Sequence, residues 1–402
     1  MATTMRDQAE AAWPGVPFAK ILEIGSLPEG HEVAAIGTLF KDMKLKPSIM
    51  DEYTKDRGMK HALGAGCNFC SDSDGLVLED EGGRMSLKGT CLPVHELVTG
   101  VVMAVRGQTE PGGDFIVSDI CFMGLPPQSP LPSPPPEDKY VALISGLGLG
   151  KPSADLLKVQ LAVDFLTGHL GSNAEQVLAS KIVRLVVAGG TVGSMEALAT
   201  SGAYSRLQAA SLHPIKNMDM VLMELAAGLP VDLMPGAEDP TNIALPQQPL
   251  HRCLFPAAAG YGSFNRVTNP HHFEVDGVSF LGTSGQNIDD LSKYSRHSDR
   301  MSMMEACLTW RHLAPTAPDS LTCYPFHDRD PFILEHCPHV LFVGNQPEFK
   351  VSRVTGKEGQ EVRMISVPSF YRTPLMVLVN LRTLDCTPMR FQGFAGKDDM
   401  ED

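Results

Sequence analysis

Along the first 125 residues, apolar and polar positions alternate in short runs broken by turn residues, a period of two that predicts β-strands. Strands are expected at Glu32–Phe40, at Leu76–Asp80 and Arg84–Gly89 around Glu81-Gly82-Gly83, and at Thr99–Gly107 and Phe115–Phe122 around Glu110–Asp114. Five short strands with such turns suit a small closed barrel of the OB type. Lys46–Ser73 reads as a long, polar, irregular loop.

The pattern breaks at Leu125–Glu137, LPPQSPLPSPPPE, where seven residues are proline. Proline favours an extended left-handed helix and cannot donate to a sheet ladder, so the stretch reads as a semi-rigid linker. A ligand for an SH3-type domain is the other reading of such a composition. Beyond it, strands alternate with helices. Apolar strands are expected at Tyr140–Ser145, Ile182–Ala188, Val231–Met234, His339–Val343, Val362–Val367 and Leu375–Leu381. A hairpin is expected at Phe273–Val275 and Val278–Leu281 around Asp276-Gly277. Helices are expected at Ser153–Leu170, at Pro214–Ala227 with Gly228 past its end, and at the Met-rich Asp299–His312. The organisation expected is an N-terminal extension (1–29), an OB-fold barrel (30–124), the linker (125–137), an α/β domain with mixed sheets (138–394) and a short acidic tail (395–402).

Composition narrows the class. The 402 residues are 43% apolar and 20% charged, which excludes a disordered or fibrous chain. No apolar run approaches the ~18 residues of a membrane span, and Met1–Glu10 holds no apolar core of a secretory signal. With 33 basic and 47 acidic residues, the net charge of −14 repels phosphate backbones, so broad electrostatic binding of nucleic acid is not expected. Work beside nucleic acid through another subunit remains compatible. Nine scattered cysteines, an odd number, read as reduced thiols of cytosol or nucleus.

Several motifs suggest chemistry and then fail on spacing. Ser145-Gly-Leu-Gly-Leu-Gly-Lys-Pro152 lies between a strand and a helix, as a phosphate cradle does. Yet Ser145 stands where a P-loop needs glycine, and Pro152 offers no hydroxyl for a magnesium ion. Cys67-x-x-Cys70 has zinc-knuckle spacing, but Cys91 and His61 supply no second paired motif. His336, Cys337 and His339 lead into a strand and lack a fourth group. Gly282-Thr-Ser-Gly-Gln286 resembles a nucleophile elbow, but Gln286 replaces its last glycine and the stretch follows a hairpin strand. The stretch Val231–Pro256, VDLMPGAEDPTNIALPQQPLHRCLFP, is the most informative: Glu238 and Asp239 sit at a strand's carboxyl end, where open α/β sheets bind ligands.

The PGAEDPTN and LPQQPLHRCLFP runs resemble the signature of the small (B) subunits of replicative DNA polymerases, and the Gln-Gln-Pro-Leu-His form resembles the delta branch of that family. Ser145–Gly150, Val278–Asn287, Pro315–Asp319 with Cys323–Phe326, and Cys337–Asn345 agree in the same order, and the likeness spans Val33–Phe394. The family usually carries a further N-terminal segment, so the short stretch before the barrel is expected to be a shorter natural form or an incomplete gene model, with Ala11-Ala12-Trp13 as its remnant. The resemblance implies an OB domain followed by a calcineurin-like phosphoesterase domain, an αββα sandwich.

Active phosphoesterases of that kind hold two metal ions through an Asp-x-His pair, a Gly-Asp pair, a Gly-Asn-His triplet and a late Gly-His-x-His. The corresponding positions here are Ser145 and Leu147, Gly189 and Gly190, Glu238 and Asp239, and Asn345 followed by Gln346 and Pro347. Glycine, leucine and proline side chains cannot ligate, and Glu238 with Asp239 cannot assemble a two-metal clamp alone. The resemblance therefore implies a degenerate metal pocket, no cofactor and no catalysis. It implies an accessory subunit in the nucleus, holding the cysteine-rich C-terminal region of the delta catalytic subunit and the third subunit; the rival readings are the B subunit of polymerase alpha or epsilon and an active metal-dependent phosphoesterase or nuclease. The sliding clamp and DNA would be reached only through the complex, with no role for a membrane. Leu76–Lys88 carries Glu79, Asp80 and Glu81 and no aromatic residue, so the barrel is expected to bind protein in place of single strands. The helix with Met301, Met303 and Met304, together with the barrel strands, is a candidate contact face; the other reading of those methionines is that they fill the core.

Overall fold

The computed structural model describes residues 2–28, 30–47, 68–110, 113–193, 212–297 and 299–392. The chain divides into two compact units. One holds Met1–Pro127, Asn287–Cys337 and Gly356–Gln360; the other holds Gln128–Gln286, Pro338–Thr355 and Glu361–Asp402.

In the first unit, helix α1 (Ala2–Ala12) precedes strands β1 (Val33–Asp42), β2 (Gly75–Glu79), β3 (Arg84–Lys88), β4 (Val102–Thr109) and β5 (Phe115–Cys121). They close a barrel in the order β1-β2-β3-β5-β4, antiparallel except where β3 meets β5. The alternation read from sequence is the burial alternation: in β2, Leu76 and Leu78 point inward, and in β3, Met85 and Leu87 do. Residues 1–29 are more than an extension. Met5, Ala9 and Trp13, spaced four apart on one helical face, bury in a cluster with Ala34, Ala104 and Met123, and Trp13 Nε1 donates to Asp119 at 2.9 Å.

The second unit is a two-sheet sandwich. Its elements are β6 (Tyr140–Ile144), α2 (Leu156–Leu166), α3 (Asn173–Ser180), β7 (Ile182–Ala188), α4 (His213–Gly228), β8 (Val231–Met234), β9 (Phe264–Arg266), β10 (His271–Val275) and β11 (Val278–Thr283). After α5 (Gln286–Tyr294) and α6 (Arg300–Trp310) come β12 (Val340–Gln346), β13 (Lys350–Thr355), β14 (Glu361–Pro368), β15 (Leu375–Asn380) and β16 (Cys386–Arg390). One sheet runs β10-β11-β12-β14-β13, the other β16-β15-β6-β7-β8-β9. The period of two in β6 serves two cores at once. Val141 and Leu143 face the other sheet with Val186, Phe280 and Phe342, while Ala142 and Ile144 face the helices with Val163, Met218 and Leu222. Burial on both faces is why these strands read as continuous apolar runs.

The strands that sequence patterning missed have a common cause. β9, β13 and β16 are sheet edges, with one side unpaired and polar residues or Pro388 within them, so their apolar signal is weak. Helix α3 is short and announced chiefly by its capping box, Ser172 with Glu175. Helix α2 starts after its Asp155 cap, later than expected.

The expected run of 138–394 is crossed twice by the barrel's unit, because specific groups hold α5, α6 and the segment up to Cys337 in it. Asn68 donates to Ser292 O and Ser295 O at 2.8 and 2.6 Å, and Lys41 Nζ donates to Tyr294 O at 3.0 Å. Arg311, the left-handed cap of α6, donates to the carbonyls of Met123, Gly124 and Leu125 at 3.1, 2.8 and 2.9 Å. Met301, Met303 and Met304 are buried, so they fill a core and form no open contact face. Cys67 and His61 of the zinc reading lie outside the described residues, as does most of the 46–73 loop. Among the described residues no helix is long and apolar enough to cross a membrane.

Thiol reactivity is set by this burial. Burial pushes the Cys307 and Cys337 thiols up to about 12, so both stay protonated and inert at pH 8, while Cys91 and Cys253 are exposed. Iodoacetamide at pH 8 followed by peptide mass spectrometry is expected to label Cys91 and Cys253 and spare Cys307 and Cys337; equal labelling of all four would contradict the packing.

Candidate functional site

The strand ends of the sandwich are knitted into one region, each by its own loop. After β6, Gly146 N donates to Gly189 O at 2.8 Å and Gly148 N to Gly190 O at 3.0 Å, so the first loop lies along the second. Ser145 is fully buried; its Oγ lies within donating reach of Val367 O and Pro368 O at 3.2 and 3.1 Å and accepts Asn345 N–H at 2.8 Å. Leu147 turns into the apolar core beneath and takes no part.

After β7, Gly189 and Gly190 both adopt left-handed backbone, φ 73° and 68°. A Cβ on Gly189 would stand 2.8 Å from Gly236 Cα and Pro235 O, and one on Gly190 would stand 2.5 Å from Asn345 Oδ1. The space for a side chain at these positions is therefore already taken. Asn345 takes part of it. Its own φ is 57°, and its amide nitrogen donates to Ala188 O at 3.0 Å and Ser284 O at 2.9 Å, joining the ends of β7 and β11.

After β8, Glu238 and Asp239 part company. Asp239 is buried and accepts five hydrogen bonds: Thr191 N, Thr191 Oγ1 and Val192 N on one oxygen at 2.9, 2.6 and 3.1 Å, and Gly190 N and Gly236 N on the other at 2.9 and 2.8 Å. Burial pushes its carboxyl upward from the ordinary range, and the hydroxyl and backbone donors pull the other way. Every neighbour on both oxygens is a donor, which is the environment of an anion with no lone pair to spare. Glu238 is half exposed and pairs with Lys151 Nζ at 2.5 Å, and the same ammonium lies 4.3 Å from the centre of the Tyr371 ring.

A second layer holds the third loop. Gln247, 1% exposed, donates to Gly236 O at 3.1 Å and Asn242 O at 2.9 Å, while its own carbonyl accepts from Asn269 at 2.8 Å and Gln286 at 2.9 Å. Its amide is saturated on both ends, which makes the network rigid. The turn Gly282–Gln286 does join strand β11 to helix α5, against the expectation that it would not. It is still no nucleophile elbow, because the buried Ser284 Oγ donates to the Gln286 carbonyl at 2.9 Å, not to a base.

Of the seven positions singled out from sequence, Ser145, Gly189, Gly190, Asp239 and Asn345 meet in one bonded cluster, Glu238 lies at its rim, and Leu147 is in the core. Lys151, Thr191, Gln247 and Tyr371 belong to the region too. Gln247 carried a signal, since it sits in the Gln-Gln-Pro run; Tyr371 lies in no motif. Among the described residues no three of His, Cys, Asp and Glu are close enough to hold a metal ion. Chemically, the cluster is a set of satisfied hydrogen bonds with one exposed ion pair.

A family model for the DNA polymerase alpha/epsilon B-subunit matches residues 141–351, and another, for the DNA polymerase delta subunit OB-fold domain, matches residues 1–120. The chain is 50% identical over 377 residues to the DNA polymerase delta small subunit of Arabidopsis thaliana, covering 94% of this chain and 85% of that protein. It is 49% identical over 389 residues to the rice (Oryza sativa subsp. japonica) protein of the same name, covering 96% and 90%. To the DNA polymerase delta small subunit of Saccharomyces cerevisiae it is 33% identical over 407 residues, covering 92% and 81%. Among solved structures, Haemophilus influenzae NAD nucleotidase (NadN) aligns with a TM-score of 0.24 at 11% identity over 63% of this chain and 55% of that one, too slight a likeness to bear on the fold.

Proposed function

The chain belongs to the DNA polymerase delta small-subunit family, and from that premise we propose that it is the non-catalytic accessory subunit of a DNA polymerase delta, acting as a scaffold in replication and repair synthesis in the nucleus. Its partners on this reading are the cysteine-rich C-terminal region of the catalytic subunit and the third subunit, with the sliding clamp and DNA engaged through the complex. The α/β unit is read as a calcineurin-like phosphoesterase fold that has lost its reaction. Two packed sheets with helices outside, and loops gathered at the strand ends, support that reading.

One observation carries the loss of catalysis: each residue in a ligand's place is committed elsewhere. A two-metal site needs several carboxylate and imidazole groups aimed at the ions. Here Asp239 has five donors, Glu238 has Lys151, the two glycines have no room for a side chain, and the Asn345 amide bridges two carbonyls. The residues present do not fit a dinuclear metal centre.

Two measurements test the proposal together. The tagged chain, expressed in its own cells, is expected to co-purify with a delta catalytic subunit; recovery of an alpha or epsilon large subunit in its place would move the assignment. The pure protein with Mn²⁺ and a generic phosphodiester is expected to show no turnover above buffer. Hydrolysis that Glu238→Ala abolishes in a protein still folded by circular dichroism would restore the enzyme reading.

A further inference from the structure

The Pro-rich segment holds two serines each followed by proline, Ser129-Pro130 and Ser133-Pro134, and both serines are exposed. A following proline restricts each serine to extended backbone, the form in which kinases that select proline after the acceptor take their substrates. The segment is presented, not loose, within the α/β unit. The Gln128 amide donates to Pro338 O and Glu361 O at 3.0 and 2.7 Å and accepts Glu361 N–H at 2.9 Å, and His339 Nε2 donates to Ser129 O at 2.9 Å.

The two serines differ in what lies beside them. Pro132 and Pro134, the neighbours of Ser133 on either side, line a cavity of about 150 Å³ together with Arg353, Arg363, Arg382 and one carboxylate, Glu361. Three guanidinium groups in so small a space repel one another unless anions face them. Arg353 is bonded to the half-exposed Glu361, and Arg382 lies 3.9 Å from Asp138, a loose pairing. Among the described residues no carboxylate pairs with Arg363. The cavity thus holds more positive than negative charge next to the two prolines that flank an exposed serine, in an acidic protein.

We propose that Ser133 is a proline-directed phosphorylation site whose phosphate is received by Arg353, Arg363 and Arg382. In the transfer, the γ-phosphoryl group of ATP forms a bond to Ser133 Oγ and its bond to the bridging oxygen of the β-phosphate breaks. ADP leaves, and the hydroxyl proton passes to the kinase's base. The product brings a charge of about −2 and three acceptor oxygens to an arginine wall, the pairing in which bidentate bonds are strongest. The phosphate takes Arg363 first and competes with Glu361 and Asp138 for the other two, fastening the segment to strands β13 and β14.

The test uses the whole chain and a cyclin-dependent kinase chosen because it modifies a synthetic 125–137 peptide. Mass spectrometry is expected to place phosphate on Ser133 of the folded protein, with Ser133→Ala removing it. The ³¹P resonance of the folded, modified chain is expected to titrate with a proton affinity about tenfold weaker than in the modified peptide, since arginine favours the dianion. Arg363→Gln combined with Arg353→Gln should restore the peptide's titration. Modification of Ser129 alone, a peptide that no such kinase modifies, a folded chain left unmodified while the peptide reacts, or a resonance that titrates as in the peptide would each overturn the proposal.

Discussion

Asp239→Ala is expected to cost the α/β unit most of its stability, at least about 5 kcal/mol, seen as a collapse of the urea midpoint or as insoluble protein on expression. The carboxylate satisfies four backbone N–H groups and the Thr191 hydroxyl, and its loss strands all five. A buried donor left without a partner costs about 1–3 kcal/mol, and a cavity the size of a carboxyl group readmits too few waters to serve five. Against a total of about 5–15 kcal/mol for a domain, that is most of the margin. Asp239→Asn should fall between, because its carbonyl retains the donors from Thr191 and Val192 while its NH₂ group confronts the N–H groups of Gly190 and Gly236. A residue kept for binding metal behaves oppositely: its loss would relieve buried charge and leave the apo protein as stable or more so. An Asp239→Ala protein within about 1 kcal/mol of the parent, or a parent whose midpoint rises with Mn²⁺, would break the account of this site.

The second large effect is at Gly190. Gly190→Asp places at the end of β7 the kind of residue that a two-metal centre would need there, and it is expected to destabilise by about 2–5 kcal/mol without creating hydrolysis. Left-handed backbone costs a residue with a Cβ about 1–2 kcal/mol, and forcing atoms into a filled space adds about 1–3 kcal/mol. The clash belongs to the Cβ itself, 2.5 Å from Asn345 Oδ1 and 3.1 Å from Gly146 Cα, so Gly190→Ala should lose nearly as much. Adding Asn345→Gly to Gly190→Ala should return part of the loss, because the two residues share one space and couple. Urea unfolding of the three variants checks this. A stable Gly190→Asp protein that gains Mn²⁺-dependent turnover would mean that the pocket is open and only a ligand short.

Both expectations rest on geometry that the chain's pattern does not contain. That Ser145, Gly189, Gly190 and Asn345 have side chains poorly suited to hold a metal ion is plain from the sequence. The work these residues do in its place was not. Asp239 looked like a surviving acid at a ligand-binding strand end, and its role as the acceptor for the β7 loop appears only when residues 48 positions apart meet. Gln247 stood in the recognisable Gln-Gln-Pro run, yet its partners Asn269 and Gln286 come from separate turns. Lys151 entered the sequence reading only as part of a loop that fails as a phosphate cradle, and the structure gives it Glu238.

The sequence by itself determined the barrel, the apolar central strands and the Asp276-Gly277 turn, because periodicity and turn chemistry act between neighbours a few residues apart. Its long motifs determined the family. Tertiary structure alone decided that residues 287–337 fold with the barrel and that three methionines of α6 face inward. It also decided that the strand-end pocket is filled by the protein's own donors and acceptors. Those outcomes depend on which groups meet across distant segments, and a hydrogen bond or a steric overlap between such groups leaves no period in the chain from which to read it.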